Sequence, residues 1–331
     1  MSYCANPNRY EQANFARCGN SGLLLPRISL GLWHNFGETT DKQQSRDLLT
    51  TAFDSGITHF DLANNYGPPP GSAETRFGEI LVSDLASYRD ELVISTKAGH
   101  LMWPGPYGDW GSRKHMLASL DQSLKRMHLD YVDIFYAHRF DPNTPLEETA
   151  GALISAVRQG KALYAGISKF PEEAARTIYK YLREAGVPCL IHQFRYNILD
   201  RSAETVQFPA IRDEHIGGIA FSPLGQGLLS NRYLHGIPED SRACGHSVFL
   251  TQERVLSQMA IVQELAKIAE QRGQSLAQMA LAWVLIHPEV TSCLIGASKV
   301  EQIKDCLKAL QSPRFSDTEL RAIDEAVGII R

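Results

Sequence analysis

A (β/α)8 TIM barrel is predicted by three features of the sequence. Short β-branched or aromatic runs alternate with longer segments whose apolar residues recur at helical spacing, from about residue 28 onward. These short runs number eight, at residues 28–32, 58–61, 92–97, 131–138, 163–168, 189–193, 218–222 and 290–295. A chain of 331 residues holds eight such units with insertions, whereas a doubly wound sheet uses about five to seven strands. With no linker dividing the chain, residues 1–331 read as one domain.

Each element has its own signal. Residues 14–18 and 23–26 flank a Gly19-Asn20-Ser21-Gly22 turn and predict an N-terminal β-hairpin that caps the barrel floor. Between the strands, Leu117, Leu120, Leu124 and Met127 form one helical stripe. Ala175, Ile178 and Leu182 form another, and Val300, Ile303, Leu307 and Leu310 a third. Gly56, Gly160, Gly186 and Gly273 stand where helix C-terminal caps are expected. After the third strand, residues 102–111 are dense in aromatics, Gly and Pro, a loop suited to wall a pocket. After the seventh, residues 225–250 show no clear period and predict a long loop on the functional rim. Extra helices are expected beyond it, at 253–271 and 275–286.

Composition narrows the function. The 33 Lys plus Arg against 37 Asp plus Glu leave a net charge of −4, so no broad cationic field exists for nucleic acid or an anionic membrane. The six cysteines are scattered without zinc-type spacing, which fits a reduced, cytoplasmic setting and no metal. Residues 1–10 lack an apolar signal core, and the longest apolar stretch, 276–286, is shorter than the roughly 20 residues of a membrane span.

In such barrels the chemistry sits at the C-terminal ends of the strands, and here those ends are polar. The second strand ends at Asp61 with Tyr66 five residues on, the third at Lys97 and the fourth at His138. Ser168, Gln193 and Ser222 end the next three. A lysine inside a barrel mouth needs a partner, and Asp61 is the natural one. A free phenol titrates near about 10, too high for efficient acid/base work at neutral pH. A Lys97 ammonium about 4 Å from Tyr66 would supply roughly 4 kcal/mol at an effective dielectric of about 20, enough to lower that value by the roughly 2 to 3 units required. His138 is placed to hold a carbonyl oxygen at the phenol. The expected chemistry is protonation of a carbonyl oxygen.

No residue in this set delivers hydride, so a nicotinamide cofactor is implied. The chain lacks a G-x-G-x-x-G between strand and helix, which excludes a Rossmann unit. The phosphate site of barrels points instead to Gly296-Ala297-Ser298-Lys299, opening a helix at Val300. Ser298 and Lys299 would favour NADP over NAD if they take a 2′-phosphate; otherwise they are a helix cap and a solvated charge.

These residues carry a family resemblance. The stretch Thr58-His59-Phe60-Asp61-Leu62-Ala63-Asn64-Asn65-Tyr66-Gly67, the Lys97 strand, Tyr131 through His138 and Gly166-Ile167-Ser168 resemble the aldo-keto reductase superfamily, over residues 14 to about 326. The resemblance implies that Tyr66 donates the proton, that Lys97 and Asp61 lower its pKa, and that His138 orients the carbonyl. It further implies NADP(H), with Ser168 and Gln193 on the carboxamide, and Phe221 stacked on the nicotinamide. Trp33 and Asp61 would be further contacts to the cofactor. Ser222, Leu224 and Gly227 would line the pyrophosphate with Arg232 nearby, and Arg242, Gly296, Ser298, Lys299, Gln302 and Asp305 would surround the adenosine end. Three positions depart from the family pattern: Lys169, where relatives often carry Asn or Ser; Cys306, where an Asn usually meets the adenine; and His128, which replaces a Gly after the third helix.

The implied substrates are small aldehydes, including L-glyceraldehyde 3-phosphate and methylglyoxal. Trp33, His34, Trp103 and Trp110 are candidates for an aromatic wall, and Arg113 with Lys114 read either as contacts for a substrate phosphate or as solvated charges opening a helix. Two competing functions are weighed: a cofactor-sensing regulatory subunit of slow turnover, like the β-subunits of potassium channels, and a lyase with Lys97 as Schiff-base nucleophile. Relatives form tetramers and octamers, so a homo-oligomer is expected by analogy.

Overall fold

The structure is a computed structural model that describes residues 3–239, 241–244 and 250–329. Among the described residues ten strands are formed: β1 (Phe15–Arg17), β2 (Leu24–Pro26), β3 (Ile28–Gly31), β4 (His59–Asp61), β5 (Val93–Ala98), β6 (Val132–Ala137), β7 (Ala162–Ser168), β8 (Cys189–Arg195), β9 (Gly217–Phe221) and β10 (Ser292–Ile295). The antiparallel pair β1–β2 stands apart, and β3 to β10 close a parallel barrel in the order β10-β3-β4-β5-β6-β7-β8-β9.

Closure follows from two kinds of apolar surface. One face of each strand packs on the surrounding helices, in a cluster that includes Phe60, Ile94, Phe135, Ile167 and Phe194. The alternate residues point inward, where Val93, Ile134, Tyr136, Ile191, Ile219 and Leu294 fill the barrel. Cys18 and Leu25 belong to this inner cluster, so the hairpin does close the floor.

Helices follow the strands, and several begin where a side chain accepts an orphan N–H group. Asp41 caps the helix Lys42–Asp54 by accepting from Gln44, and Ser112 caps Arg113–Met127 by accepting from His115. The latter helix ends at His128, whose left-handed φ of 56° shows this residue filling the cap that glycine usually takes. Gly56, Gly160, Gly186 and Gly273 all adopt positive φ at helix ends, as their spacing predicts. The helices Gln252–Gln271 and Leu276–Leu285 lie between β9 and β10. A C-terminal helix, Asp317–Ala326, packs on the first of these and was not anticipated.

Strand ends differ by a residue or two from the expected ones. The eighth barrel strand begins at Ser292: Val290 N–H still donates to His287 O in the turn from the preceding helix, whereas Thr291 N–H already donates to Gly218 O of β9. Arg195 extends β8 two residues beyond Gln193 by pairing with Phe221.

Candidate active site

Asp61, Lys97, His138 and Tyr66 converge at the C-terminal mouth of β4 to β6. Lys97 is fully buried, and its ammonium donates to Asp61 Oδ2 at 2.5 Å, to Leu62 O at 2.7 Å and to Tyr66 Oη at 3.4 Å. Three acceptors occupy its three protons. Tyr66 is held in a turn after β4 in which its carbonyl accepts from Gly71 and Ala73 at the start of the helix Ser72–Ile80. A Cβ on the next residue, Gly67, would lie 2.0 Å from Pro69 O, so only glycine lets the chain fold this tightly beneath the phenol. The His138 ring meets Tyr66 edge-on at 5.9 Å, and Trp33 lies 6.3 Å from Tyr66.

Behind the pair runs a buried polar chain that sequence reasoning missed. Asp61 Oδ1 accepts from Ser95 Oγ at 2.7 Å and from Gln193 Nε2 at 3.2 Å. His59 Nε2 lies 3.1 Å from Ser95 Oγ, His59 Nδ1 2.9 Å from Ser29 Oγ, and Ser29 Oγ 2.7 Å from Ser292 Oγ. An ion-paired carboxylate only accepts, so Ser95 donates to it and must accept from His59 Nε2–H. Nδ1 then accepts from Ser29, which accepts from Ser292, and every donor points toward Asp61. Burial pushes His59 down to about 4, so the imidazole is neutral as this chain requires. The signal lay in the strand period: Ser29, His59 and Ser95 share the inward face, two residues before Gly31, Asp61 and Lys97.

The electrostatics correct one expectation. Tyr66 is held well above 10, first by burial and then by the Asp61 charge. Asp61 sits closer to the ammonium than the phenol does and offsets its field, so Lys97 does not make the phenol acidic in this state. Tyr66 is therefore protonated, the form a proton donor needs. Lys97 is lowered by burial, with Asp61 opposing. His138 is held well below 6.5 by burial and then by Lys169, Lys97, His100 and Arg139, so its ring is a neutral hydrogen-bonding group. Its Nδ1 is enclosed without a partner among the described residues.

Beyond the tetrad, the ends of β7 to β10 carry the residues expected to hold a dinucleotide. Ser168 Oγ is buried without a hydrogen-bond partner and pairs in register with Gln193. An orphaned hydroxyl beside an amide fits a ligand carboxamide. Phe221 is half-buried at the end of β9, and Ser222 follows with φ 53°. Leu224 leads into the turn Gly225–Gly227, where three successive left-handed residues keep side chains out of the way of an approaching backbone. Gly296 follows β10 with open space where a Cβ would stand. Gln302 Oε1 accepts from the N–H groups of Ser298 and Lys299 at 2.8 and 3.2 Å, at the start of the helix Val300–Leu307. Ser168 beside Gln193 fits the group at its carboxamide, whereas the Ser298 and Lys299 amides are taken by Gln302 and leave the Lys299 side chain as the charge for a phosphate.

Other predicted positions do not join them. Arg113 donates from its guanidinium to Gly151 O at 2.7 Å and to Ser155 Oγ at 2.6 Å, which ties it to the neighbouring helix Leu146–Arg158 rather than to the mouth. Asp305 accepts from Ser275 Oγ and Gln278 Nε2 and so braces the start of the helix Leu276–Leu285. Trp103 packs on His115 at 5.1 Å, and Trp110 stacks under Arg139. Arg232 is exposed beside Ser230, whose hydroxyl accepts from its N–H. The Arg242 side chain lies outside the described residues. Among those residues no helix is long and apolar enough to cross a membrane, and no group of His, Cys, Asp and Glu is placed to hold a metal.

A buried Lys–Asp pair against a protonated phenol, with a neutral imidazole opposite and an orphaned hydroxyl at the end of β7, defines a class of protein. Residues 27–327 match the aldo/keto reductase family, and the chain belongs to it. It is accordingly an oxidoreductase, of a family that generally uses NAD(P)H. Two relatives named L-glyceraldehyde 3-phosphate reductase, from Escherichia coli strain K12 and from Escherichia coli O157:H7, are each 54% identical over 332 residues. The alignments cover 99% of this chain and 96% of each relative.

Proposed function

We propose that the protein is an NADPH-dependent reductase of small aldehydes, L-glyceraldehyde 3-phosphate and methylglyoxal among them. The observation that carries this reading is the protonated hydroxyl of the half-buried Tyr66, 3.4 Å from the Lys97 ammonium. When bound, the reduced nicotinamide supplies hydride. Tyr66 donates its proton to the carbonyl oxygen, Lys97 steadies the phenolate left behind, and Asp61 keeps Lys97 charged and in place. The neutral His138 hydrogen-bonds the same oxygen and sets its angle to the phenol. Ser168 and Gln193 hold the carboxamide, Phe221 stacks against the ring with Trp33 near it, and Ser222, Leu224 and Gly227 face the pyrophosphate. The 2′-phosphate preference rests on Ser298 and Lys299.

The three acceptors around Lys97 disfavour a Schiff-base lyase, since a nucleophilic amine needs a free lone pair. The test is steady-state consumption of NADPH and of NADH with both aldehydes. Many turnovers with preference for NADPH support the reading. A single slow turnover would make the protein a cofactor sensor instead.

A further inference from the structure

We propose that Lys169, with His100 beside it, is the seat for the phosphate monoester of a short phosphorylated aldehyde, an inference that rests on the reductase reading above. His100, His138 and Lys169 stand just beyond the ends of β5, β6 and β7, three adjacent strands. Lys169 Nζ reaches His100 Nε2 at 3.4 Å, so its side chain spans the end of β6, where His138 stands. The His100 and His138 rings meet edge-to-face at 4.5 Å. The ammonium is thus one imidazole away from the ring that holds the carbonyl.

The neighbouring cations are already engaged. Arg139 donates to Gly99 O at 2.6 Å and to Asp109 Oδ1 at 2.5 Å, and stacks on Trp110. Arg195 lies 4.0 Å from Asp200 and over the Phe221 ring. Lys97 has Asp61. Lys169 has only an imidazole nitrogen as polar side-chain partner among the described residues, although it remains accessible from the mouth. Burial first, and then the charges of Lys97, Arg139 and Arg195, push Lys169 down to about 8, so an anion bound beside it would favour its charged form. Asp109, the carboxylate facing His100, is committed to Arg139. His100 is itself pushed down to about 4 and is neutral, so its Nε2 accepts from Lys169 and its one proton is on Nδ1; it steadies the ammonium, and Lys169 supplies the charge and the N–H groups to the phosphate.

Reach and backbone agree. A phosphate two carbons from the aldehyde carbon meets only groups at the mouth, which excludes Arg113 on its outer helix. Lys169 adopts φ 59°, a left-handed conformation that costs a side-chain-bearing residue about 1 kcal/mol, with its N–H anchored to Gln193 O at 3.0 Å.

The test compares wild type with Lys169→Asn, which tolerates left-handed backbone without the charge, and with Lys169→Arg, which keeps a cation. Calorimetric titration with glycerol 3-phosphate reads the seat without turnover. Turnover is read as the ratio of kcat/KM for glyceraldehyde 3-phosphate to that for glyceraldehyde. Loss of one charge-assisted contact should weaken glycerol 3-phosphate binding about ten- to a hundredfold and lower the ratio by a similar factor in Lys169→Asn, with recovery in Lys169→Arg. An unchanged ratio and affinity would overturn the proposal, as would a loss shared equally by both aldehydes or confined to the Kd for NADPH. Reduction of both aldehydes with a ratio indifferent to Lys169 would sink the seat alone. Phosphate binding through Lys169 without reduction of either aldehyde would sink the reductase reading and leave the seat.

Discussion

Replacing Lys97 by methionine keeps most of the side chain's bulk and removes the charge beside the phenol. At 3.4 Å and an effective dielectric near 20, the ammonium stabilises a phenolate by at most about 5 kcal/mol, a limit that the opposing Asp61 charge reduces. Losing that amount at the moment of proton donation lowers kcat by up to about 10³ to 10⁴. The same substitution strands the Asp61 carboxylate inside the barrel and costs about 3 to 5 kcal/mol of stability. The double variant Lys97→Met/Asp61→Asn removes both charges, so stability measured by urea unfolding should recover while kcat, measured with saturating NADPH and glyceraldehyde, should not. If kcat returns together with stability, the pair is only a structural tie and the catalytic argument fails.

Two further outcomes follow from the buried polar chain and the buried histidines. His59→Leu leaves Ser29 and Ser95 each short of one partner, which should cost about 1 to 3 kcal/mol in urea unfolding; kcat should fall less than about tenfold because the Lys97–Asp61 contact survives. Unchanged stability would mean the chain does not form. His59 and His192 are buried with folded values pushed down to about 4 and about 3, against 6.5 when exposed. The unfolded chain therefore takes up their protons first: the stability they confer is complete above pH 6.5 and declines as pH falls toward 4 and 3, by about 3 to 5 kcal/mol for each. A denaturation midpoint that stays flat over that range contradicts the assignment of neutral buried rings.

The barrel and three members of the tetrad were legible because strand period and strand ends are local signals. Asp61, Lys97 and His138 each close a β-rich run, and the first polar residue there points into the mouth. Tyr66 was readable only through its spacing from Asp61 and the family resemblance. Other features depend on contacts between distant segments. Nothing local indicates that Arg113 reaches Gly151 and Ser155 on the next helix, or that Asp305 turns toward Ser275. His100, Arg139 and Lys169 sit in loops whose paths are set by packing, and they come together only because β5, β6 and β7 are neighbours. Counting Lys97 while placing Asp61 merely as its partner gave the wrong direction for the Tyr66 phenol, since burial and the second charge are properties of the folded site.

The direct test of the account is Tyr66→Phe, which removes one hydroxyl and leaves the Lys97–Asp61 pair and the residues for the dinucleotide in place. The variant should bind NADPH with the wild-type Kd, measured by fluorescence titration, yet show NADPH consumption with glyceraldehyde reduced by about 10² to 10⁴. Turnover within a few-fold of wild type, at unchanged NADPH affinity, would mean that the proton comes from elsewhere.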